Sequence, residues 1–231
     1  MASRPQLFAA IAIIVGIGSA VLGCYAFFTT AAAVSLLKDL TGLKVSDSME
    51  SDVQQFTQRH VRYLVSQDHS ESVATSEFRV DNRWLAALRL EPPALFRVVV
   101  KLKDKRVYHI SASLQRAMDI FPTFKESAGM VDEYSEFPQN LSQGGHYEFP
   151  TPIGKPYLHV QLDSHASGIQ RQRAYDFSFY CLIKPGGGCD LPCDYLPSAW
   201  QDWKTQVRNA GLLDLFNQHY PNSSRCMSNR P

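Results

Sequence analysis

Four cysteines in the second half of the chain have the clearest capacity for chemistry: Cys181, Cys189, Cys193 and Cys226. Outside the cytoplasm, an even set of cysteines predicts disulfide bonds. Four thiolates could instead close a tetrahedral zinc site, or the thiols could stay free. A redox pair usually has two residues between its cysteines, whereas Cys189 and Cys193 have three. We therefore predict two disulfides, with a pairing that the sequence leaves open.

A second group of reactive side chains follows Pro156. In "PYLHVQLDSH", alternate residues His159, Gln161 and Asp163 point to one side of a strand, and His165 joins them if the strand extends. Two imidazoles and a carboxylate could bind a metal or move a proton. The same pattern is typical of the solvent face of an amphipathic strand. We prefer the second interpretation, so His159, Asp163 and His165 are the only catalytic candidates, and no metal or cofactor site is predicted.

Charge and aromatic residues indicate surfaces that could contact a partner. Residues 97–116 carry six basic residues against one acidic residue, and residues 121–150 carry five acidic residues against one lysine. Such regions can steer a charged partner, or they can be ordinary solvated surface. Aromatics interleave with the acids in the second region, where they could anchor a protein partner or fold back into the core. The predicted contact residues are Arg97, Lys101, Lys103, Tyr134, Phe137 and Tyr147.

The elements that must position these residues begin with an apolar N-terminus. No charged residue lies between Arg4 and Lys38, and the 22 residues 7–28, "LFAAIAIIVGIGSAVLGCYAFF", would cross a bilayer as a helix. Tyr25, Phe27 and Phe28 suit the interface. We predict a transmembrane anchor over residues 1–37. A cleaved signal peptide ending near Ala31–Ala33 and a lipoprotein processed at Cys24 in "VLGC" are the alternatives.

The side of the membrane is predicted from the cysteines, because the flanking basic residues hardly distinguish the two orientations. The cysteine set favours a domain outside the cytoplasm, periplasmic or extracellular, and the sequons at Asn140 and Asn222 are compatible with export. Within the span, Ala12, Gly16 and Ala20 share one helical face, on which another helix could pack closely.

Residues 38–231 are predicted to form one α+β domain, an antiparallel sheet with helices packed on one face. Helical spacing of Val53, Phe56, His60 and Leu64 predicts a helix over 45–67. Strands are predicted over 76–82, over the hairpin 95–114 with its turn at Asp104–Lys105, and over 157–163 and 173–184. Residues 121–156 read as a long loop or as weak strands. A last helix is predicted over 197–211.

Composition limits the function class. The chain has 231 residues, 45% of them hydrophobic, and a net charge of +1. These values predict a packed core and give no argument for nucleic-acid binding. No nucleophile motif or phosphate-binding loop is present in the sequence. We expect a non-enzymatic protein that binds a protein partner, as an envelope-complex accessory, an inhibitor or immunity factor, or an assembly subunit. An envelope hydrolase and an extracytoplasmic ligand-sensing domain are the alternatives.

Overall fold

The computed structural model describes residues 4–70, 72–90, 93–117, 126–135, 146–148, 157–183, 189 and 191–209. Phe137, Asn140, Asn222 and Cys226 lie outside these ranges. The helices are α1 (Arg4–Leu40), α2 (Glu50–Arg59), α3 (Arg83–Ala87), α4 (Gly168–Ala174) and α5 (Pro197–Asn209). The strands are β1 (Leu64–His69), β2 (Val73–Asp81), β3 (Ala94–Lys103), β4 (Arg106–Ala117), β5 (Glu126–Tyr134), β6 (His146–Glu148) and β7 (Tyr157–Asp163).

The described strands form one mixed sheet in the order β1-β2-β3-β4-β5-β7-β6. The α+β class is as predicted, but a purely antiparallel sheet is wrong because β5 and β7 are parallel. A parallel pair needs a crossover connection, and the chain between β5 and β7 contains β6, which pairs antiparallel with β7 at the outer edge. Strands β5 and β6 lie in the segment that the sequence presented as a loop or as weak strands.

The hairpin of β3 and β4 has the predicted turn at Asp104–Lys105. Both residues have left-handed backbone, with φ of 52° and 63°. A two-residue turn of this hand matches the twist of the two strands, although it normally uses asparagine and glycine. Next to the turn, the pairing register of the two strands shifts between Lys101 and Leu102 of β3. Beyond that shift the two strands pair continuously to Ala94 and Arg116.

One face of the sheet carries the core. Directly opposed residues share a face, so Phe78, Val98, Ala112, Val131 and Val160 form a row across β2, β3, β4, β5 and β7. All five are fully buried.

The segment before α5 packs on this face. A Cβ added at Gly129 of β5 would lie 2.8 Å from the Leu196 side chain and 2.9 Å from Tyr195, so only glycine allows this close approach.

Helix α1 changes character along its length. From Ile11 to Gly23 nearly every residue is exposed, and an apolar span of bilayer length lies in this helix. From Thr29 onward one side is buried in the domain core. The buried residues Ala32, Ala33, Leu36 and Leu40 recur at helical spacing. The same helix therefore carries the apolar N-terminal stretch and a part of the core of the folded domain.

The helix predicted over 45–67 is correct only in its middle. Val53 and Phe56 lie on the buried side of α2, and His60 beyond its end is buried as well. The His60 ring contacts Asp39 of α1 at 2.9 Å between Nε2 and Oδ2. Leu64 begins β1 and pairs with Phe78, because the sheet offers it a partner that a longer helix would not.

The strand predicted over 173–184 is wrong. Ser167 caps a helix instead: its hydroxyl accepts from the backbone N–H of Gln170, and the Gln170 side chain accepts from the backbone N–H of Ser167. Helix α4 ends at Ala174, and residues 179–182 form a short 3-10 helix. Tyr175, Phe177, Phe179 and Cys181 are nonetheless all buried. The alternation therefore reflects burial alone, because this segment pairs with none of the described strands.

Candidate functional site

The face of the sheet opposite the core carries a polar cluster on three neighbouring strands. It consists of His109 from β4, Asp132 from β5 and His159 from β7. Each lies next in sequence to a core residue, so the two-residue period of the strand points it away from the hydrophobic core. All three side chains are nevertheless almost buried, at 12%, 9% and 11% exposed. We call this group the His-Asp-His cluster.

Asp132 joins the two histidines through separate oxygens. His159 Nε2 lies 2.7 Å from Asp132 Oδ2, and His109 Nε2 lies 3.2 Å from Asp132 Oδ1. An ionised carboxylate only accepts hydrogen bonds, so both imidazoles donate through Nε2. The Nδ1 atom of His159 is 3.4 Å from the Gln161 amide nitrogen, which can donate to it. His159 therefore faces Asp132 through Nε2 and Gln161 through Nδ1.

The surroundings of Asp132 keep its carboxylate charged. Burial alone would raise the pKa of Asp132, but hydrogen bonds from His109, His159 and Ser111 outweigh that effect and hold the pKa well below its ordinary value. The ring of His109 also stacks on Tyr134, with centroids 4.6 Å apart. Asp132 therefore orients the two imidazoles and does not serve as a proton donor near neutral pH.

The sequence placed only part of this cluster. His159 belongs to it, whereas Asp163 is buried at the end of β7 and accepts the backbone N–H of His165 through Oδ1. His165 lies beyond the strand, in the turn. His109 and Asp132 were missed. Asp132 lies in a stretch without alternation, where no neighbour could be assigned to it.

The His-Asp-His cluster could transfer a proton, or it could only hold the three strands together on the polar face of the sheet. A histidine whose proton position is set by a carboxylate can act as a general base. Within the described ranges, no group of three or more histidine, cysteine, aspartate or glutamate side chains is placed to hold a metal ion.

A second polar group lies on the core face, where α1 ends. Arg171 of α4 donates through Nε to Glu133 Oε2 at 2.8 Å, and through its two terminal nitrogens to the carbonyls of Thr41 and Leu43. Tyr175 donates to the same Glu133 oxygen at 3.3 Å. Burial and the Glu133 charge both raise the pKa of Tyr175. Arg171 thus fastens β5 and α4 to the chain that follows α1.

An open cavity of about 1090 Å³ lies alongside this second group. Glu133, Arg171 and Tyr175 line it together with Lys38 and Thr41 from the end of α1 and the following turn. The polar lining therefore contains the same residues that contact the chain following α1.

The predicted contact residues are dispersed. Arg97 donates to both Glu77 oxygens, at 3.0 and 2.9 Å, which together with Arg79 lowers the pKa of Glu77 against the effect of burial. Lys101 is half-buried and Lys103 is exposed. Tyr134 stacks on His109. Tyr147 lies in β6, and Phe137 lies outside the described residues. Arg97 therefore already has an ion-pair partner within the chain, which it shares with Arg79.

Cys181 and Cys189 form a disulfide, with Cα atoms 5.7 Å apart. Cys189 therefore pairs with the distant Cys181 and not with its near neighbour Cys193. Cys193 is also disulfide-bonded, and Cys226 lies outside the described residues. The bond excludes a zinc site made of all four thiolates. Cys24, exposed on α1, is a free thiol.

Comparison with known proteins finds no matching family, no similar curated protein and no similar solved structure.

Proposed function

We propose that this protein is a single-pass, membrane-anchored binding protein, with a non-enzymatic domain outside the cytoplasm that holds a protein partner. The observation that carries the proposal is that α1 is one continuous helix, which is exposed and apolar over a bilayer length and then enters the domain core. In this proposal, helices cover the core face of the sheet. The transmembrane part of α1 continues without a linker into the part of α1 that is packed in the domain.

The contacts of α1 support an anchor over a cleaved signal peptide. Contacts with the domain begin at Tyr25, whose hydroxyl donates to the Asp81 carbonyl at 3.3 Å. Cleavage near Ala31–Ala33 would remove that contact and cut the helix among its buried residues. Processing before Cys24 would leave every domain contact in place, so a lipid anchor on Cys24 is the alternative form of attachment.

The disulfides support a location outside the cytoplasm. Reducing compartments keep thiols free, whereas the periplasm and the cell exterior allow disulfides to persist. Since Cys181 pairs with Cys189 and Cys193 is also bonded, we propose Cys193–Cys226 as the second bridge.

The proposed contact surface for the partner is the edge strand β1. Among the described strands it pairs with β2 alone. All of its residues after Leu64 are exposed. An unpaired strand edge can accept a strand of another protein, because its free backbone groups continue the hydrogen-bond ladder. Small residues Ala12, Gly16 and Ala20 are exposed on α1 and offer a second contact, with another membrane helix.

Site-specific photo-crosslinking in native membranes tests this proposal. A photoreactive residue at Val65 or Gln67 of β1 is expected to give one reproducible protein adduct. The matched control is Thr205, which is exposed on α5 and should not give that adduct. A pattern with no reproducible adduct from β1, or with the same adducts from Thr205, contradicts the binding role.

The His-Asp-His cluster favours one second candidate, an envelope hydrolase that uses His159 or His109 as a base. His159→Gln and His109→Gln distinguish the two functions. Under the binding proposal both variants keep the β1 adduct and the cellular phenotype. A null phenotype in a variant that folds normally would favour the hydrolase.

A further inference from the structure

A short loop beside the anchor helix exposes an unusual set of apolar side chains. This α3 loop, residues 82–90, contains α3 and the residues that follow it. Trp84, Leu88 and Leu90 are 63%, 57% and 46% exposed, whereas Leu85 of the same loop is buried. A tryptophan and two leucines on one short loop mark a contact surface.

The position of the loop points to the occupant of that surface. Tyr25 of α1 donates to the carbonyl of Asp81, the residue just before the loop. Tyr25 and Phe28 line one cavity of about 560 Å³ together with Arg83 and Trp84. The loop is therefore alongside α1 at the point where the exposed apolar stretch of the helix ends.

Charge at this place suits a lipid surface. Arg62, Arg83 and Arg89 are all exposed, and Arg62 and Arg83 line the same cavity as Trp84. Asp81 is the acidic residue described in the lining of this cavity, and its carboxylate accepts a hydrogen bond from Arg83 at 3.0 Å. Tryptophan at headgroup level, leucines pointing into the acyl boundary and arginines near phosphates are the usual composition of an interfacial contact.

We propose that the α3 loop enters the interfacial layer of the membrane that α1 spans, with Trp84 at headgroup level, Leu88 and Leu90 at the acyl boundary and the arginines at anionic headgroups. The loop then acts as a second membrane contact that fixes the tilt of the domain and so the direction in which β1 faces. This inference rests on the proposed anchor, because the loop meets the bilayer only if α1 crosses it.

Tryptophan quenching by brominated lipids tests the contact in the full-length protein. The chain has three tryptophans, and the other two, Trp200 and Trp203, are buried at 0% and 6% exposed. The protein is reconstituted into vesicles of phosphatidylcholine and phosphatidylglycerol, brominated either near the headgroup or near the chain end. We expect stronger quenching by the shallow bromines, and loss of that quenching in Trp84→Phe.

A charge-insertion pair separates the loop from nonspecific effects. Leu88→Glu with Leu90→Glu is expected to abolish the shallow quenching of Trp84. Ile169→Glu, at an apolar residue that is 71% exposed on α4, should leave it unchanged. Retention in the membrane after alkaline carbonate extraction is measured for every variant.

The outcomes are distinguishable. Carbonate-resistant protein with no Trp84-dependent quenching overturns the lipid contact and leaves the anchor standing. Equal loss of quenching in the Ile169 variant also overturns it. Protein released by carbonate overturns both the anchor and the contact that depends on it.

Discussion

At the scale of single residues, buried charge decides how the two faces of the sheet are held. Asp132 and Glu133 are neighbours in β5 and point to opposite faces, and each carboxylate is almost fully buried. Asp132 receives two imidazoles, and Glu133 receives a guanidinium and a phenol. A buried charge is tolerated only with such partners. The removal of one partner should therefore cost more than the same change at an exposed pair.

Asp132→Asn should lower the free energy of unfolding at neutral pH by about 1–3 kcal/mol, because it weakens the hydrogen bonds from His109, His159 and Ser111. The folded state holds the Asp132 pKa below its ordinary value of 3.8. The contribution of the Asp132 carboxylate to the free energy of unfolding is therefore present above pH 3.8 and is lost as the pH falls below that value. Urea titrations of wild type and variant in detergent should converge in acid. A pH-independent difference would contradict the account, and Asp47→Asn, at an exposed position, is the control.

Arg171→Ala should destabilise the protein by about 3 kcal/mol, because it leaves Glu133 buried without its guanidinium. Arg173 offers a matched control on the same helix. Its pair with Asp202 is 42% and 29% exposed, against 13% and 4% for Arg171 and Glu133. Arg173→Ala should cost no more than about 1 kcal/mol. Equal losses in chemical denaturation would show that Arg171 does not fasten the chain that follows α1.

At the scale of elements, the β3–β4 hairpin shows a local conflict that substitution can relieve. Lys105 adopts left-handed backbone without being glycine, at roughly 1–2 kcal/mol for an ordinary residue, whereas Asp104 is one of the residues that tolerate this backbone. Asp104→Asn with Lys105→Gly should stabilise the protein by about 1 kcal/mol after the extra freedom of glycine in the unfolded chain. The control, Lys103→Gly within the strand, should destabilise it. Thermal unfolding in detergent compares the three proteins, and a destabilised turn variant would count against the turn geometry.

The strands also show which parts of the fold the sequence could predict and why it could not predict the others. The hairpin and β7 were predicted because one face of each strand is apolar and the other polar. Strand β5 was missed because Val131, Asp132 and Glu133 are all buried, which removes the alternation. The segment from Tyr175 to Cys181 was wrongly predicted as a strand, because its apolar residues alternate although it pairs with none of the described strands. Without β5, the sequence could not bring Asp132 to His159, and the cluster could not be predicted.

At the scale of the whole molecule, one helix, α1, has two environments. Leu36 is fully buried in the domain, whereas Val34 on the same helix is 48% exposed. Leu36→Ala should lower the stability of the domain by about 2–5 kcal/mol. Val34→Ala should change it by less than about 0.5 kcal/mol. If unfolding of the full-length protein in detergent is indifferent to Leu36→Ala, α1 is not a part of the domain core.

The most direct test of the anchored, oxidised state is intact mass of the protein isolated from its native membranes, alkylated before and after reduction. We predict a mass that includes the apolar N-terminal residues, with one alkyl group on Cys24 before reduction and four more afterwards, since the sequence has five cysteines. A chain that has lost its apolar N-terminus, or one that takes up five alkyl groups without reductant, would contradict it.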